Sequence, residues 1–188
     1  MAGLIEFETA RLRLRHWIAS DREPFAALNA DPKVMKYFPT PLERSASDAM
    51  ADRCQALIAE RGWGLWAVET RGAHEFIGFV GLHIPTAALP FNPCVEIGWR
   101  LSHSHWGKGL ATEAAHAALR FGFEQLAVAE IVSFTALANL RSRAVMARLG
   151  MVETDEIFDH PSIPVGSPLR AHCLYRLSRE RWEPPAAP

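Results

Sequence analysis

The chain has 188 residues, 49% of them hydrophobic, and a formal net charge of −1. That length can close one sizeable core without metal or disulfide support, and the near-neutral balance gives no overall attraction to nucleic acid or anionic lipid. The apolar residues are dispersed among charges, with no run approaching the roughly 18 needed to cross a bilayer, so neither a membrane nor a nucleic-acid partner is expected.

Residues Met1 to Glu6 show neither the basic region nor the apolar stretch of a secretory signal. Cys54, Cys94 and Cys173 are odd in number and widely spaced, which fits a reducing cytoplasm rather than a disulfide framework. The eight histidines contain no His-Glu-x-x-His spacing, and His103-Ser104-His105 reads as a solvated loop, so no metal is expected.

In chain order, Arg11-Leu12-Arg13-Leu14-Arg15 alternates as a half-buried strand does. Ser20 is placed to cap a helix with Asp21, Glu23 and a tolerated Pro24 in its first turn, ending near Asp31-Pro32. A short helical turn is expected over 33–38, and Ser45-x-x-Asp48 reads as the capping signal of a longer helix that stops at Gly62. Ala46, Met50, Cys54, Leu57 and Ile58 are its expected apolar face. Runs 63–70 and 76–84, joined by the turn Arg71 to Glu75, predict a hairpin; Trp63 and Trp66 in the first run fit core packing or a cleft wall.

A proline-rich loop over 85–93 leads to a strand at 95–101, a turn, and a helix whose face carries Leu110, Ala111, Ala114, Ala115, Ala118, Phe121 and Gly122. A strand at 131–136 precedes a helix capped by Asn139 and closed at Leu149-Gly150, and strands at 151–158 and 169–177 finish the pattern. The order β-α-α-α-β-β-β-α-β-α-β-β predicts a single mixed α/β domain over residues 1–182, with a flexible tail at 183–188.

The chemistry concentrates at Glu96-Ile97-Gly98-Trp99-Arg100-Leu101 and Trp106-Gly107-Lys108-Gly109-Leu110-Ala111-Thr112-Glu113-Ala114. A strand that turns through glycines into a helix N-terminus is a ready anion site, because unpaired N–H groups converge there and no side chain blocks a phosphate. A tight strand-helix turn alone would use the same two glycines. The run matches neither the dinucleotide fingerprint nor the P-loop, since Lys108 is followed by Gly109.

With Asn139-Leu140-Arg141-Ser142 and Leu149-Gly150-Met151 one β-unit later, the chain resembles the GNAT acetyltransferase superfamily, and more narrowly its RimJ/RimL-like branch. The likeness extends from Glu8-Thr9-Ala10-Arg11-Leu12 to Tyr175-Arg176-Leu177. It implies a twisted, mostly antiparallel sheet flanked by helices, with acetyl-CoA between a fourth and fifth strand that splay apart. Backbone groups of Trp99, Arg100 and Leu101 would meet the pantetheine, and Trp106, Gly107, Lys108, Gly109, Leu110, Ala111 and Thr112 the pyrophosphate, with Asn139 touching the cofactor arm. Many relatives carry Arg or Gln at the position of Trp106.

The implied activity is acetyl transfer to a primary amine: a protein N-terminus, an amino acid, a polyamine or a drug-like amine. A CoA-binding module without turnover is the alternative. Glu96 is the first candidate base, directly or through water, against the ordinary role of a paired or solvated strand carboxylate. Relatives often place a proton-donating tyrosine where this chain has Met146, leaving Ser142 as the available hydroxyl; its plainer role is hydrogen bonding at the helix start. Met35, Tyr37 and Phe38 are candidates for the acceptor wall. In Phe158-Asp159-His160-Pro161 an Asp-His contact is expected to stabilise a loop. Relatives in this family are often homodimers.

Overall fold

The computed structural model describes residues 5–184, and the tail expected from residue 183 lies, from residue 185 onward, outside them. One eight-stranded sheet runs in the order β1-β2-β3-β4-β5-β6-β8-β7. Its strands are β1 (Phe7–Glu8), β2 (Leu12–Arg15), β3 (Leu65–Thr70), β4 (Phe76–His83), β5 (Glu96–Leu101), β6 (Glu130–Ala136), β7 (Val152–Asp159) and β8 (Ala171–Ser178). Four helices flank it: α1 (Arg22–Ala30), α2 (Arg44–Arg61), α3 (Leu110–Glu124) and α4 (Leu140–Arg148). Every neighbouring pair is antiparallel except β5 with β6. The mixed α/β architecture expected from the pattern is therefore present.

The central strand β4 is buried from Phe76 through Leu82, as a strand covered on both faces must be. Helix α3 lies close on the sheet because Ala114, Ala115 and Ala118 present only methyl groups, and because a side chain at Gly122 would meet Ile131 Cδ1 at 2.7 Å. Trp66 is fully buried with its Nε1 donating to Ile5 O, so it belongs to the core, while Trp63 is half-buried at its margin.

Several local expectations are corrected. A first strand, Phe7–Glu8, precedes the alternating one and pairs with it. Ser20 does not cap α1: a single 3-10 turn spans Ala19–Asp21, and Asp21 stands at the cap position with its carboxylate taken by Arg15 and the Ile18 N–H. Residues 33–38 form hydrogen-bonded turns rather than a third helix. Helix α2 begins at Arg44 after Glu43, without a side-chain cap. Its buried stripe is Ser47, Ala51, Cys54 and Ile58; Ala46 is exposed, because Ser47 turns inward to receive a hydrogen bond from Asn29 of α1 at 2.9 Å. Asp159 pairs with Arg170 at 2.9 Å, not with His160, which packs instead on His172 and Phe134.

Candidate active site

Strands β5 and β6 run parallel yet pair only at Glu96 with Val132. Val95 O accepts from Val132 N, and Ile97 O from the Ser133 hydroxyl, both at 2.9 Å. By the two-residue alternation of a strand, the N–H and C=O of Trp99 and the N–H of Leu101 also face β6, where the strands have already parted. A V-shaped gap with a free main-chain edge results. Leu101 O is occupied by Trp106 Nε1 at 2.8 Å.

At the open end of the gap the chain turns through Gly107 (φ 74°) and Gly109 (φ 77°), left-handed conformations that glycine adopts without strain. A side chain at Gly107 would meet nothing within 4 Å, and one at Gly109 only Arg11 Nη2 at 3.6 Å. Helix α3 starts without a side-chain cap, and its first turn closes from Glu113 N to Gly109 O. The N–H groups of Leu110, Ala111 and Thr112 therefore have no helical partner and point, with the positive end of the helix, at open space. This cradle fits a diphosphate.

The turn is held from beneath. Arg11 donates from Nη1 to Lys108 O at 2.9 Å and from Nε to Glu113 Oε2 at 2.6 Å, while Thr9 donates its hydroxyl to Glu113 Oε1 at 2.6 Å. Burial alone would raise the Glu113 carboxyl pKa, but these hydrogen bonds outweigh it and hold the group below its ordinary range. Arg141 of α4 places its guanidinium 5.1 Å from the Trp106 ring, adding a second cation beside the turn.

On the opposite face of β5, Glu96 Oε2 lies 2.9 Å from His83 Nε2 of β4, a pair set by the direct register of these two residues. His160 stands near enough for Glu96 to raise its pKa, although burial, the larger effect, brings it below the ordinary histidine value. His83 lines a cavity of about 440 Å³ between α2 and the ends of β3 and β4, with Met50, Cys54 and Trp63 among the other walls. A carboxylate backed against an imidazole at the rim of a cavity can take a proton from a group bound there.

The GNAT acetyltransferase domain model matches residues 11–152 of this chain. The chain belongs to the GNAT acetyltransferase family. The acetyltransferase is 33% identical over 93% of its length to the FsC-acetyl coenzyme A-N(2)-transacetylase of Aspergillus fumigatus, covering 76% of that protein. It is 28% identical to YnaD of Bacillus subtilis, named an uncharacterized N-acetyltransferase, over 93% of this chain and 97% of that one. A crystal structure of an acetyltransferase from Agrobacterium tumefaciens superposes with a TM-score of 0.75 at 26% identity, over 94% of this chain and 96% of that one. A GNAT-family structure from Bacillus anthracis shares the fold with a TM-score of 0.77 at 24% identity, over 94% and 99% of the two chains. The acetyltransferase is thus an N-acetyltransferase of a family that uses acetyl-CoA as cosubstrate.

Within it, the expected residues are distributed unevenly. Trp99, Leu101 and the whole turn from Trp106 to Thr112 line the gap and cradle described above. Arg100 does not follow them: its alternation sends its main chain toward Phe79 of β4 and its side chain under α1 and α2. Asn139 caps α4, accepting from Ser142 N at 3.3 Å, and its amide nitrogen donates to the Thr135 hydroxyl. The Ser142 hydroxyl makes no hydrogen bond among the described residues. Met146, one turn further on, is fully buried, so a tyrosine there would overfill the core. Tyr175 is no substitute donor, because its hydroxyl already donates to Glu153 at 2.8 Å. Of the expected acceptor wall, Met35 is buried in the main core, Tyr37 is half-buried, and Phe38 is exposed with its ring over Arg100.

Sequence reading missed His83, Arg11 and Arg141 as site residues. The first two lie inside runs recognised only as strand, and their roles depend on cross-strand register and on a helix about a hundred positions away. Arg141 was legible as part of the helix start, but not as a neighbour of Trp106.

Proposed function

We propose that the enzyme acetylates a primary amine, a small molecule or a peptide, by direct attack on the thioester of acetyl-CoA, as a cytoplasmic protein of the RimJ/RimL-like branch. The observation that carries this reading is the placement of the Glu96–His83 pair at the closed end of the gap, with the anion cradle at its open end. Acetyl-CoA supplies the activated acetyl group. The free edge at Trp99 and Leu101 would align the pantetheine arm, while Gly107 to Thr112, with Lys108, Arg11 and Arg141 nearby, would hold the pyrophosphate.

The amine nitrogen of the acceptor forms the new bond to the acetyl carbon as the carbon–sulfur bond breaks. Its proton passes to Glu96, backed by His83, and an N–H of the free β5 edge stabilises the charge on the carbonyl oxygen. Ser142 stands as the proton donor to the leaving sulfur. A thiol of pKa near 8.5 leaves tolerably well unassisted, so the donor contributes modestly. Ser142→Ala is expected to lower turnover roughly tenfold at saturating acetyl-CoA. Loss of acetyl-CoA affinity with turnover intact would instead assign Ser142 to the cofactor-binding helix start.

The test of the reading is release of free CoA thiol, with the acetylated product identified by mass spectrometry, across amino acids, peptides with free N-termini, polyamines and drug-like amines. Saturable acetyl-CoA binding without amine-dependent thiol release would make the protein a CoA-binding module. A homodimer, the assembly common among relatives, is read by sedimentation.

A further inference from the structure

The strand face that carries Glu96 ends on a charge without a counter-charge. Glu96, Gly98 and Arg100 alternate onto the α1/α2 side of β5. The Arg100 guanidinium donates from Nη1 to Asn29 Oδ1 at 2.6 Å and lies 3.8 Å from Met50 Sδ. The Phe38 ring sits 4.2 Å above it and Phe79 5.4 Å away. Its Nε is buried with no acceptor, and it forms no ion pair among the described residues. Burial lowers its pKa to about 10, which still leaves it protonated at neutral pH. A desolvated cation with one N–H lacking an acceptor and no anion beside it is costly to keep, and the cost is recovered when a ligand brings the missing anion.

The surroundings connect this cation to the reacting end. A side chain at Gly98 would meet only Glu96 Oε1 at 3.9 Å, so the floor between Glu96 and Arg100 is open. The cavity of about 440 Å³ shares His83 with the Glu96 pair and Met50 with Arg100. Arg53 and Arg61 also line it, and no Asp or Glu does. Cys54, in the same wall, is pushed up to about 11 by burial, while Arg53 and Arg100 both pull its thiol pKa down. Glu96 offers the reacting amine its one carboxylate at the rim, but a second cationic group would enter against the two arginines of the lining with Arg100 behind Met50, whereas an anionic one is drawn in.

We propose that the acceptor amine carries a second, anionic group, a carboxylate or a phosphate, which Arg100 receives while Arg53 adds positive charge across the cavity. The inference rests on the acetyltransferase reading above and assigns a substrate class to that site. Arg100 here acts in specificity, by binding the far end of the acceptor and not the reacting atoms.

The experiment compares matched amines in wild-type acetyl transfer: glycine with glycinamide, β-alanine with its amide, phosphoethanolamine with ethanolamine, and spermidine as the cationic reference. The expected result is a kcat/KM at least about tenfold higher for the anionic member of a pair, the range set by one charge-assisted hydrogen-bonded contact. Which pair shows it distinguishes carboxylate from phosphate. Arg100→Met should collapse the ratio to within about threefold, through KM more than kcat, with Arg100→Lys intermediate. Arg53→Gln should reduce it by a smaller factor. Neutral amides or spermidine used as well as the acids by the wild type would overturn the proposal, as would an undiminished ratio in Arg100→Met. If that variant fails to fold, the wild-type ratio and its decline with salt decide. Turnover confined to neutral or cationic amines sinks this inference and leaves the acetyltransferase reading standing; no thiol release with any amine sinks both.

Discussion

Arg15 is buried and Arg100 is half-buried with its Nε fully covered, and their neighbourhoods differ in one respect. Arg15 donates through both Nη atoms to Asp21 at 2.7 and 2.8 Å and through Nε to Glu69 at 2.6 Å. The Asp21 hydrogen bond outweighs desolvation there and raises the guanidinium pKa. Arg100 has an amide oxygen, a thioether and two aromatic rings around it, and burial lowers its pKa to about 10. Arg15 sits where β2, β3 and the turn into α1 converge, and each neighbour brings a carboxylate. Arg100 sits beneath α1 and α2, which bring none to it. A buried charge that the fold completes is part of the scaffold; one left incomplete marks where a ligand finishes the site.

The largest expected effect tests that distinction directly. Asp21→Ala leaves Glu69 as the one carboxylate on a guanidinium whose side chain is only 7% exposed and should cost about 3 kcal/mol, read by urea denaturation. Arg100→Met removes a cation that has no counter-charge and should change stability by less than about 1 kcal/mol, in either direction. Equal losses would erase the difference between the two sites.

Next in size, if the pair with His83 serves the acceptor as proposed, Glu96→Gln should lower kcat about a hundredfold at saturating acetyl-CoA, with its affinity and the unfolding midpoint unchanged. The loss should be steepest below the acceptor amine's own pKa. A normal pH–rate profile would reduce Glu96 to a strand carboxylate.

The α3 N-terminus is a second site that the fold leaves incomplete. Gly109→Trp should weaken acetyl-CoA binding by at least tenfold in calorimetric titration, since the indole fills the open face above the free N–H groups. The left-handed backbone adds about 1–2 kcal/mol of strain, so stability falls as well. Unchanged affinity in a folded variant would remove the cradle from the argument.

The smallest effect is a pH dependence of stability. Burial depresses the pKa of His116, His160 and His172 below the ordinary 6.5. The unfolded chain then takes up protons first as pH falls, so stability is full above about 6.5 and declines as pH drops toward the folded values. Glu69 and Glu113 are also lowered, so a further loss follows below their ordinary value of 4.5. Thermal melts between neutral and acid pH that show no decline would contradict this.

Short-range signals were readable one residue at a time. The glycine turn, the Asn139 cap and the small-residue face of α3 stand at their expected positions, because each depends on local backbone chemistry or helical period. The parting of β5 from β6 came through family resemblance, and the structure bears it out. The misplaced caps have a common cause: Ser20 and Ser45 are competent caps, but tertiary partners of Asp21 and Ser47 fixed where the helices begin.

By itself the sequence determined the order of elements from Leu65 onward, the glycine turn into α3 and the family, since periodicity and motif spacing are carried by neighbours in the chain. Only the tertiary structure decided that Glu96 meets His83, that Arg11 braces the turn, and that Arg15 is neutralised while Arg100 is not. Each of these is a contact across strands or between a helix and a strand, and the charge state and purpose of a buried group are set by what lies across that gap.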